Sequence, residues 1–137
     1  MVDFKSLSFG VELECTNQTR ETVAQAIQSV VGGTIEHVES PSSLDPWHVT
    51  DKRGRIWKVV ADSSLSDAPP NLRAEVVTPI LTYPDVSEFQ DVIRAVRRCG
   101  SRASETCACH IHVSSEHFTG RTLANLVKTF FKYQNLI

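Results

Sequence analysis

The chain has 137 residues, of which 41% are apolar, and its 14 basic and 16 acidic residues give a formal net charge of −2. This length and apolar content suffice for one hydrophobic core, so we expect a single domain over residues 1–137, and the balanced charge argues against binding of nucleic acid. The chain shows neither a signal peptide nor the roughly 20 consecutive apolar residues of a membrane span, so we expect a cytoplasmic protein that does not contact a membrane.

The N-terminal part predicts a strand followed by a helix. Residues 7–15 (LSFGVELEC) alternate strictly in the manner of a strand that buries one face. The other face of this strand carries Gly10, Glu12 and Glu14. Residues 20–33 (RETVAQAIQSVVGG) place apolar side chains at helical spacing and end in a pair of glycines, which predicts a helix that stops there.

The middle of the chain predicts a hairpin, a loop and a further strand. Aromatic and β-branched residues flank Asp51–Gly54 within residues 47–62, as in a hairpin with a short turn. Residues 64–72 contain adjacent prolines and predict a loop. Residues 73–81 (RAEVVTPIL) then predict a short strand that is closed by Pro79.

Two helices are predicted in the C-terminal half. Residues 84–100 carry a capping-box pattern, Asp85 and Glu88, ahead of an apolar stripe that ends at a glycine. The last helix is expected to begin near Thr119 or Thr122 and to remain apolar to the final residue, so we expect a domain that is truncated at its C-terminal end. Strands and helices in this order predict an α+β fold, a mainly antiparallel sheet with helices packed on one face.

Residues 105–117 (ETCACHIHVSSEH) concentrate cysteines and histidines in one predicted strand. Side chains along a strand alternate between its faces, so His110, His112 and Ser114 share one face. The other face carries Cys107, Cys109, Ile111 and Val113. One straight strand therefore cannot direct both cysteines and both histidines at a single ion, which disfavours a four-ligand zinc site. We expect a His-x-His pair above an apolar face that lies in the core.

Acidic and histidine side chains lie opposite the apolar faces of three predicted strands: Glu12, Glu14, Glu75, His110 and His112. Alternate strand residues lie roughly 6.6 Å apart and the ions of a paired site about 3.5 to 4 Å apart, so Glu12 and Glu14 could serve different ions or flank one ion. Carboxylates mixed with a histidine favour magnesium or manganese, while zinc and iron stay open. Each motif alone is also typical of a solvated sheet surface.

Four blocks of the sequence resemble a known family: FGVELE, WKVVADSSL, AEVVTPIL and CACHIHV. In this order and at these distances they are similar to the amidoligase family, relatives of glutamate-cysteine ligase and glutamine synthetase, over residues 9–137. The resemblance implies an ATP-dependent ligase that joins a small-molecule or peptide carboxylate to an amine through an acyl phosphate. It also implies a glutamine synthetase-like catalytic half-domain, the N-terminal half of the family's catalytic unit.

The resemblance further implies roles for individual residues. The catalytic residues would be Glu12, Glu14, Glu75 and His110, and the same four together with His112 would bind Mg²⁺ or Mn²⁺. His112, Asp62 and Ser64 would help to bind the cofactor ATP, with Asp62 and Ser64 close to the substrate or amine pocket. The chain departs from the family where Ala108 and Ser63 replace the usual glycines.

Two other interpretations stay open. His110, His112 and Glu116 reproduce the His-x-His-x3-Glu core of cupins, whose metal lies inside a small β-barrel, but a helix follows where further strands are needed. Alternatively, the chain is a non-catalytic, truncated half-domain that binds metal or nucleotide. An unfinished apolar helix at the C-terminus would then expose hydrophobic surface and favour a homodimer.

Overall fold

The fold is built on one antiparallel sheet. The computed structural model describes residues 3–40 and 44–136, and within them six strands and three α-helices form. The strands are β1 (Phe9–Thr16), β2 (Thr34–His37), β3 (Trp47–Thr50), β4 (Ile56–Val60), β5 (Arg73–Val77) and β6 (Cys109–Val113), and the helices are α1 (Arg20–Val31), α2 (Val86–Arg98) and α3 (Gly120–Tyr133). The strand order is β2-β3-β4-β5-β1-β6, which places β1 between β5 and β6.

The apolar faces of the central strands pack against α1 and α2. Helix α1 begins after Thr19, whose hydroxyl caps it, and it buries one stripe: Val23, Ala24, Ile27 and Val31. In β4, Trp57 and Val59 are fully buried in the same core cluster, to which α2 adds Val92 and Val96. The predicted α+β class is therefore confirmed, with α1 and α2 on one face of the sheet.

The predicted hairpin is confirmed by β3 and β4. At its turn the Asp51 N–H donates to the Arg55 carbonyl at 2.9 Å, and Gly54 takes the positive φ (77°) that glycine tolerates best. The outer strand β2, which pairs only with β3 within the described residues, is not predicted by the sequence. Its four residues are too few to establish an alternating pattern.

A network of ion pairs joins the hairpin turn to the start of α2. Arg53 and Arg55 bind the Asp85 carboxylate at 2.6 and 3.1 Å, and both also contact Glu88. Arg55 pairs in addition with the buried Asp51 at 2.8 Å. The predicted helix is confirmed as α2 with Asp85 at its N-cap position, but the expected capping box is absent, because Asp85 makes no side-chain capping bond to that helix. Both carboxylates are instead engaged by the arginines of the turn.

Asp85→Asn should destabilise the fold by about 2 kcal/mol at neutral pH, since one unit of pKa shift corresponds to about 1.4 kcal/mol. Burial raises the pKa of Asp85, but hydrogen bonds from Thr82 and Arg53 and the charge of Arg55 outweigh burial and lower the pKa to about 2. The stabilisation is therefore complete above the ordinary value of 3.8 and is lost as the pH falls through about 2.

Urea unfolding at pH 7 and at pH 2 measures both parts of this expectation. Asp91→Asn is the matched control, because Asp91 lies on the same helix and forms an exposed pair with Arg94. Such exposed pairs contribute little to stability. Equal losses in the two variants at pH 7 would contradict the assigned role of Asp85.

Strand β6 and helix α3 lie outside this core. Ile111 and Val113 are 67% and 55% exposed, so the prediction that this face of β6 lies in the core is wrong. The physical reason is that α1 packs on β2, β3, β4 and β5, while α2 packs on α1. Helix α3 begins after Thr119 as predicted and is exposed along its whole length, and Ile137 lies outside the described residues. No helix in the described part of the chain is long and apolar enough to cross a membrane.

Candidate metal centre

The polar faces of β5, β1 and β6 meet on the side of the sheet that α1 and α2 leave open. Three pairs of residues lie directly opposite one another in the register: Glu14 and Glu75, Glu12 and His110, and Gly10 and His112. Opposite residues of neighbouring strands project to the same side of a sheet. The strand order therefore gathers the predicted polar residues on one surface.

Two groups of potential metal ligands form on this surface. Glu12, Glu75 and His110 make up one group, and Glu14, Asp62 and Glu75 make up the other. Within each group the ligand atoms lie within 4.8 Å of one another. Carboxylate oxygens with one imidazole nitrogen suit Mg²⁺ or Mn²⁺, and a shared carboxylate is a geometry that could hold two neighbouring ions. The donor set therefore fits the ions that the sequence predicts, with Glu75 common to both groups.

Glu12 is held between the two histidines of β6. Its carboxylate oxygens lie 3.3 Å from His110 Nδ1 and 3.4 Å from His112 Nε2. Hydrogen bonds with His112 and then with His110 lower the pKa of Glu12 against a smaller effect of burial. The carboxylate is thus kept ionised, the state that a metal ligand requires.

Glu14 is buried and is fixed by the chain that leads into β6. The Ala108 N–H donates to Glu14 Oε2 at 2.6 Å, and the Glu14 N–H donates to the Ala108 carbonyl at 3.1 Å. Both contacts use the backbone of Ala108, which alanine supplies as well as glycine does. The departure from the family pattern at this position therefore leaves the support of Glu14 intact.

Asp62 reaches the second group from the turn that follows β4. The Ser64 N–H donates to Asp62 Oδ1 at 2.8 Å, a local turn in which the carboxylate folds back on its own backbone. This bond lowers the pKa of Asp62 more than burial raises it, and a hydrogen bond with the Glu14 carboxyl lowers it further. Ser64 is exposed, and it positions Asp62 through its backbone N–H and through a further hydrogen bond from its side chain.

Glu75 has the opposite electrostatic situation to Glu12. Burial raises the pKa of Glu75, and the neighbouring charges of Glu12, Asp62 and Glu14 raise it further. A carboxylate surrounded by three others is unfavourable until a cation neutralises the cluster. The position of Glu75 at the centre of both groups therefore creates a demand for positive charge.

Two clefts adjoin the ligand groups at opposite ends of the strands. One, of about 360 Å³, is lined by Gly10, Glu12 and His112 among others. The other, of about 600 Å³, is lined by Asp62, Glu75, Asn71 and Arg73 among others. The two ligand groups therefore lie between two open clefts.

Most of the predicted site residues come together, and a few do not. His112 contacts Glu12 but belongs to neither ligand group, and Ser64 adjoins the second group only as a hydrogen-bond partner of Asp62. Glu116 of the cupin interpretation lies in neither group, and the sheet is open with helices on one face, whereas a cupin needs a barrel. The sequence did not single out Arg73 and Asn71, although Arg73 precedes Glu75 by two residues and so shares its strand face.

Comparison with known proteins identifies the family. Searches among curated proteins and among solved structures found no significant match. The model of a family described as "Putative amidoligase enzyme" matches residues 5–137, a range that contains every member of the two ligand groups. The chain therefore belongs to this amidoligase family.

Proposed function

We propose that this chain is the metal- and nucleotide-binding part of an ATP-dependent ligase that joins a carboxylate to an amine. The observation that carries the proposal is the pair of ligand groups that share Glu75 on the open face of the sheet. Membership of a family named for amide ligation supports the reaction class. An open antiparallel sheet with helices behind it is also the arrangement expected of a glutamine synthetase-like catalytic half-domain.

The chemistry of such a ligase has two steps. A carboxylate oxygen of one substrate attacks the γ-phosphorus of ATP and ADP departs, after which the amine nitrogen attacks the acyl carbon and expels inorganic phosphate. Phosphoryl transfer depends mainly on alignment and on neutralisation of negative charge. Magnesium or manganese, when bound, would supply that neutralisation at the phosphate oxygens.

The ligand groups divide this work between them. Glu12 and His110 would hold one ion and Glu14 and Asp62 the other, with Glu75 contacting both. The donors are pre-positioned, because Glu12 is oriented by imidazoles and Glu14 by a backbone N–H. Pre-positioned charge is what makes a site of this kind effective, since little reorganisation is left for the reaction itself.

Lys58 is the side chain that we assign to the phosphates of ATP. It lies opposite Val77, which lies opposite Glu12, so these residues form one row across the open face. Two strand spacings of about 4.8 Å separate Lys58 from Glu12, a gap that the long lysine side chain can span toward a bound phosphate. Lys58 is exposed and forms no ion pair with any residue that the structure describes.

Calorimetric titration of ATP tests this function. In MgCl₂ or MnCl₂ we expect binding that EDTA abolishes, and we expect the double change Glu12→Gln and Glu14→Gln to abolish it too. Glutamine keeps one oxygen acceptor at each position, so the bond from Ala108 to residue 14 can persist while the charge is lost. Circular dichroism checks that the double variant remains folded.

The matched control removes the same charge elsewhere. Glu21 and Glu105 are exposed and belong to neither ligand group, so Glu21→Gln with Glu105→Gln should leave the ATP titration unchanged. ATP binding that survives in EDTA, or in the Glu12 and Glu14 double variant, would refute the metal-dependent nucleotide site. Binding of metal and ATP without turnover on any carboxylate would favour the non-catalytic half-domain.

A further inference from the structure

The larger cleft beside the metal centre contains an arginine with unused hydrogen-bond donors. Arg73 lines this space of about 600 Å³ together with Asp62 and Glu75. Its Nε donates to the Ala68 carbonyl at 2.7 Å, which fixes the plane of the guanidinium. Among the residues that the structure describes, its two terminal nitrogens donate to none. They therefore remain available to a ligand in the cleft.

The other arginine of the cleft is not available in this way. Arg20 donates through Nε and Nη2 to Asp45, and through Nη1 to the carbonyls of Pro70 and Arg73. These bonds fix the backbone of Arg73 and use the donors of Arg20. Asn71, which also lines the cleft, has no hydrogen-bond partner for its side-chain amide within the described residues. Within the described part of the chain, the terminal nitrogens of Arg73, the Asn71 amide and the Ser63 hydroxyl are thus the free hydrogen-bond donors on this wall.

The spacing between Arg73 and the metal centre suggests what the cleft holds. Arg73 and Glu75 alternate on one face of β5, so they lie roughly 6.6 Å apart along the strand. A carboxylate paired with the guanidinium therefore lies one short carbon chain away from the centre at Glu75. We propose that Arg73 anchors a second, non-reacting carboxylate of a dicarboxylic substrate, whose other carboxylate reacts at the metal centre.

The charges in the cleft favour a carboxylate over a phosphate at Arg73. A planar guanidinium forms two parallel hydrogen bonds with a carboxylate. Among the described residues that line the cleft, Arg73 is the one cation without an ion pair, although its charge also acts on the nearby Asp67, and Asp62 and Glu75 lie in the same space. A phosphate group would bring up to two negative charges against these acids, whereas a carboxylate brings one. The anchor also discriminates, since a monocarboxylate cannot occupy the metal centre and pair with the guanidinium at the same time.

This inference rests on the proposed function, because it takes the metal centre as the place where the reacting carboxylate binds. The probes are glutarate, which has two carboxylates, and butyrate, which has one at a similar length. Both are titrated in MgCl₂ while the Arg73 Nε–H and the amides of Ser63 and Asn71 are followed by NMR. We expect glutarate to bind about tenfold more tightly than butyrate, the worth of one charge-assisted pair.

Three variants test whether Arg73 causes the preference for glutarate over butyrate. Arg73→Gln should reduce the preference for glutarate to within about twofold, and Arg73→Lys should keep part of it, because lysine retains the charge but not the planar fork. Arg98→Gln, an exposed change on α2, should leave it unaltered. Equal binding of glutarate and butyrate by the unaltered chain, or an undiminished preference in Arg73→Gln, would overturn the anchor.

A separate NMR measurement tests whether the ligand groups bind a metal ion at all. Mn²⁺ should broaden the resonances around Glu12 and Glu75, and absence of this broadening would refute the proposed function. Binding of a carboxylate by Arg73 is then tested in EDTA. Glutarate and butyrate should both still shift the Arg73 Nε–H resonance there, because one carboxylate suffices for that contact. No shift with either probe in EDTA would overturn the anchor as well.

Discussion

Glu75→Gln should abolish binding of both divalent ions and yet make the metal-free protein more resistant to heat. Glu75 is the carboxylate that both ligand groups share, so its loss removes a donor from each. Loss of a ligand is expected to weaken each site by about 100-fold or more, since even outer contacts of a metal site contribute about 10- to 100-fold. In the metal-free state the same change removes a charge that burial and three neighbouring acids oppose.

The sign of the stability effect follows from the direction of the pKa shift. The pKa of Glu75 is raised in the folded chain above its ordinary value of 4.5, so ionisation of Glu75 costs stability. That cost develops as the pH rises from the ordinary value through the raised folded value. Glutamine has no charge, so the Glu75→Gln variant does not lose stability by ionisation at this position. It should therefore be more thermally stable than the unaltered chain at neutral pH in EDTA, and Mn²⁺ should not stabilise it further.

Thermal unfolding with EDTA and with MnCl₂ measures both effects on one sample. Glu36→Gln provides the control, since Glu36 is an exposed glutamate on β2 at the opposite edge of the sheet. It should leave the stabilisation by Mn²⁺ unchanged. If Glu75→Gln were still stabilised by Mn²⁺ as strongly as the unaltered chain, Glu75 would not be the shared ligand.

Local patterns in the sequence predict most elements of this fold. The alternation of β1, the hairpin of β3 and β4, and the stripe of α1 each involve neighbouring residues, and each is confirmed. The two features that differ from prediction, the missing capping bond of Asp85 and the exposed face of β6, both depend on contacts between distant residues. Asp85 and Glu88 have the spacing of a capping box, but arginines of the hairpin turn compete for both carboxylates. A local sequence pattern around Asp85 cannot show that distant arginines bind these carboxylates.

The exposed face of β6 has a similar explanation. Alternation predicts which residues share a face, and in β6 Ile111 and Val113 do lie on the face that the histidines do not occupy. Whether that face is covered depends on where the helices pack, and α1 packs over β2 to β5 while α2 packs on α1. Burial is therefore a property of the arrangement of elements, which periodicity in one strand does not determine.

The candidate site was also predicted only in part from the sequence. The sequence predicts that Glu12, Glu75 and His110 lie on polar faces, but their convergence requires β1 to lie between β5 and β6. The resemblance assigns these residues to one site, but the strand order that brings them together comes from the structure. Arg73 is missed for the opposite reason: an arginine at the start of a strand is ordinarily a solvated residue, and its importance appears only from the cleft.

His110→Ala and Asp62→Asn should each remove one of two bound Mn²⁺ ions, and a different one in each case. His110 belongs only to the group with Glu12, and Asp62 belongs only to the group with Glu14, while both changes leave Glu75 in place. The number of ions bound should therefore fall from two to one in either variant. Combining the two changes should remove both ions.

Electron paramagnetic resonance of free Mn²⁺ counts the ions, and NMR broadening locates the one that remains. In His110→Ala the broadening should centre on Asp62 and Ser64, whereas in Asp62→Asn it should centre on Glu12 and His110. His48→Ala and Asp67→Asn serve as controls, because both residues lie outside the ligand groups. Loss of both ions in either single variant would mean that the acids and the histidine form one site, and the bridging role of Glu75 would have to be abandoned.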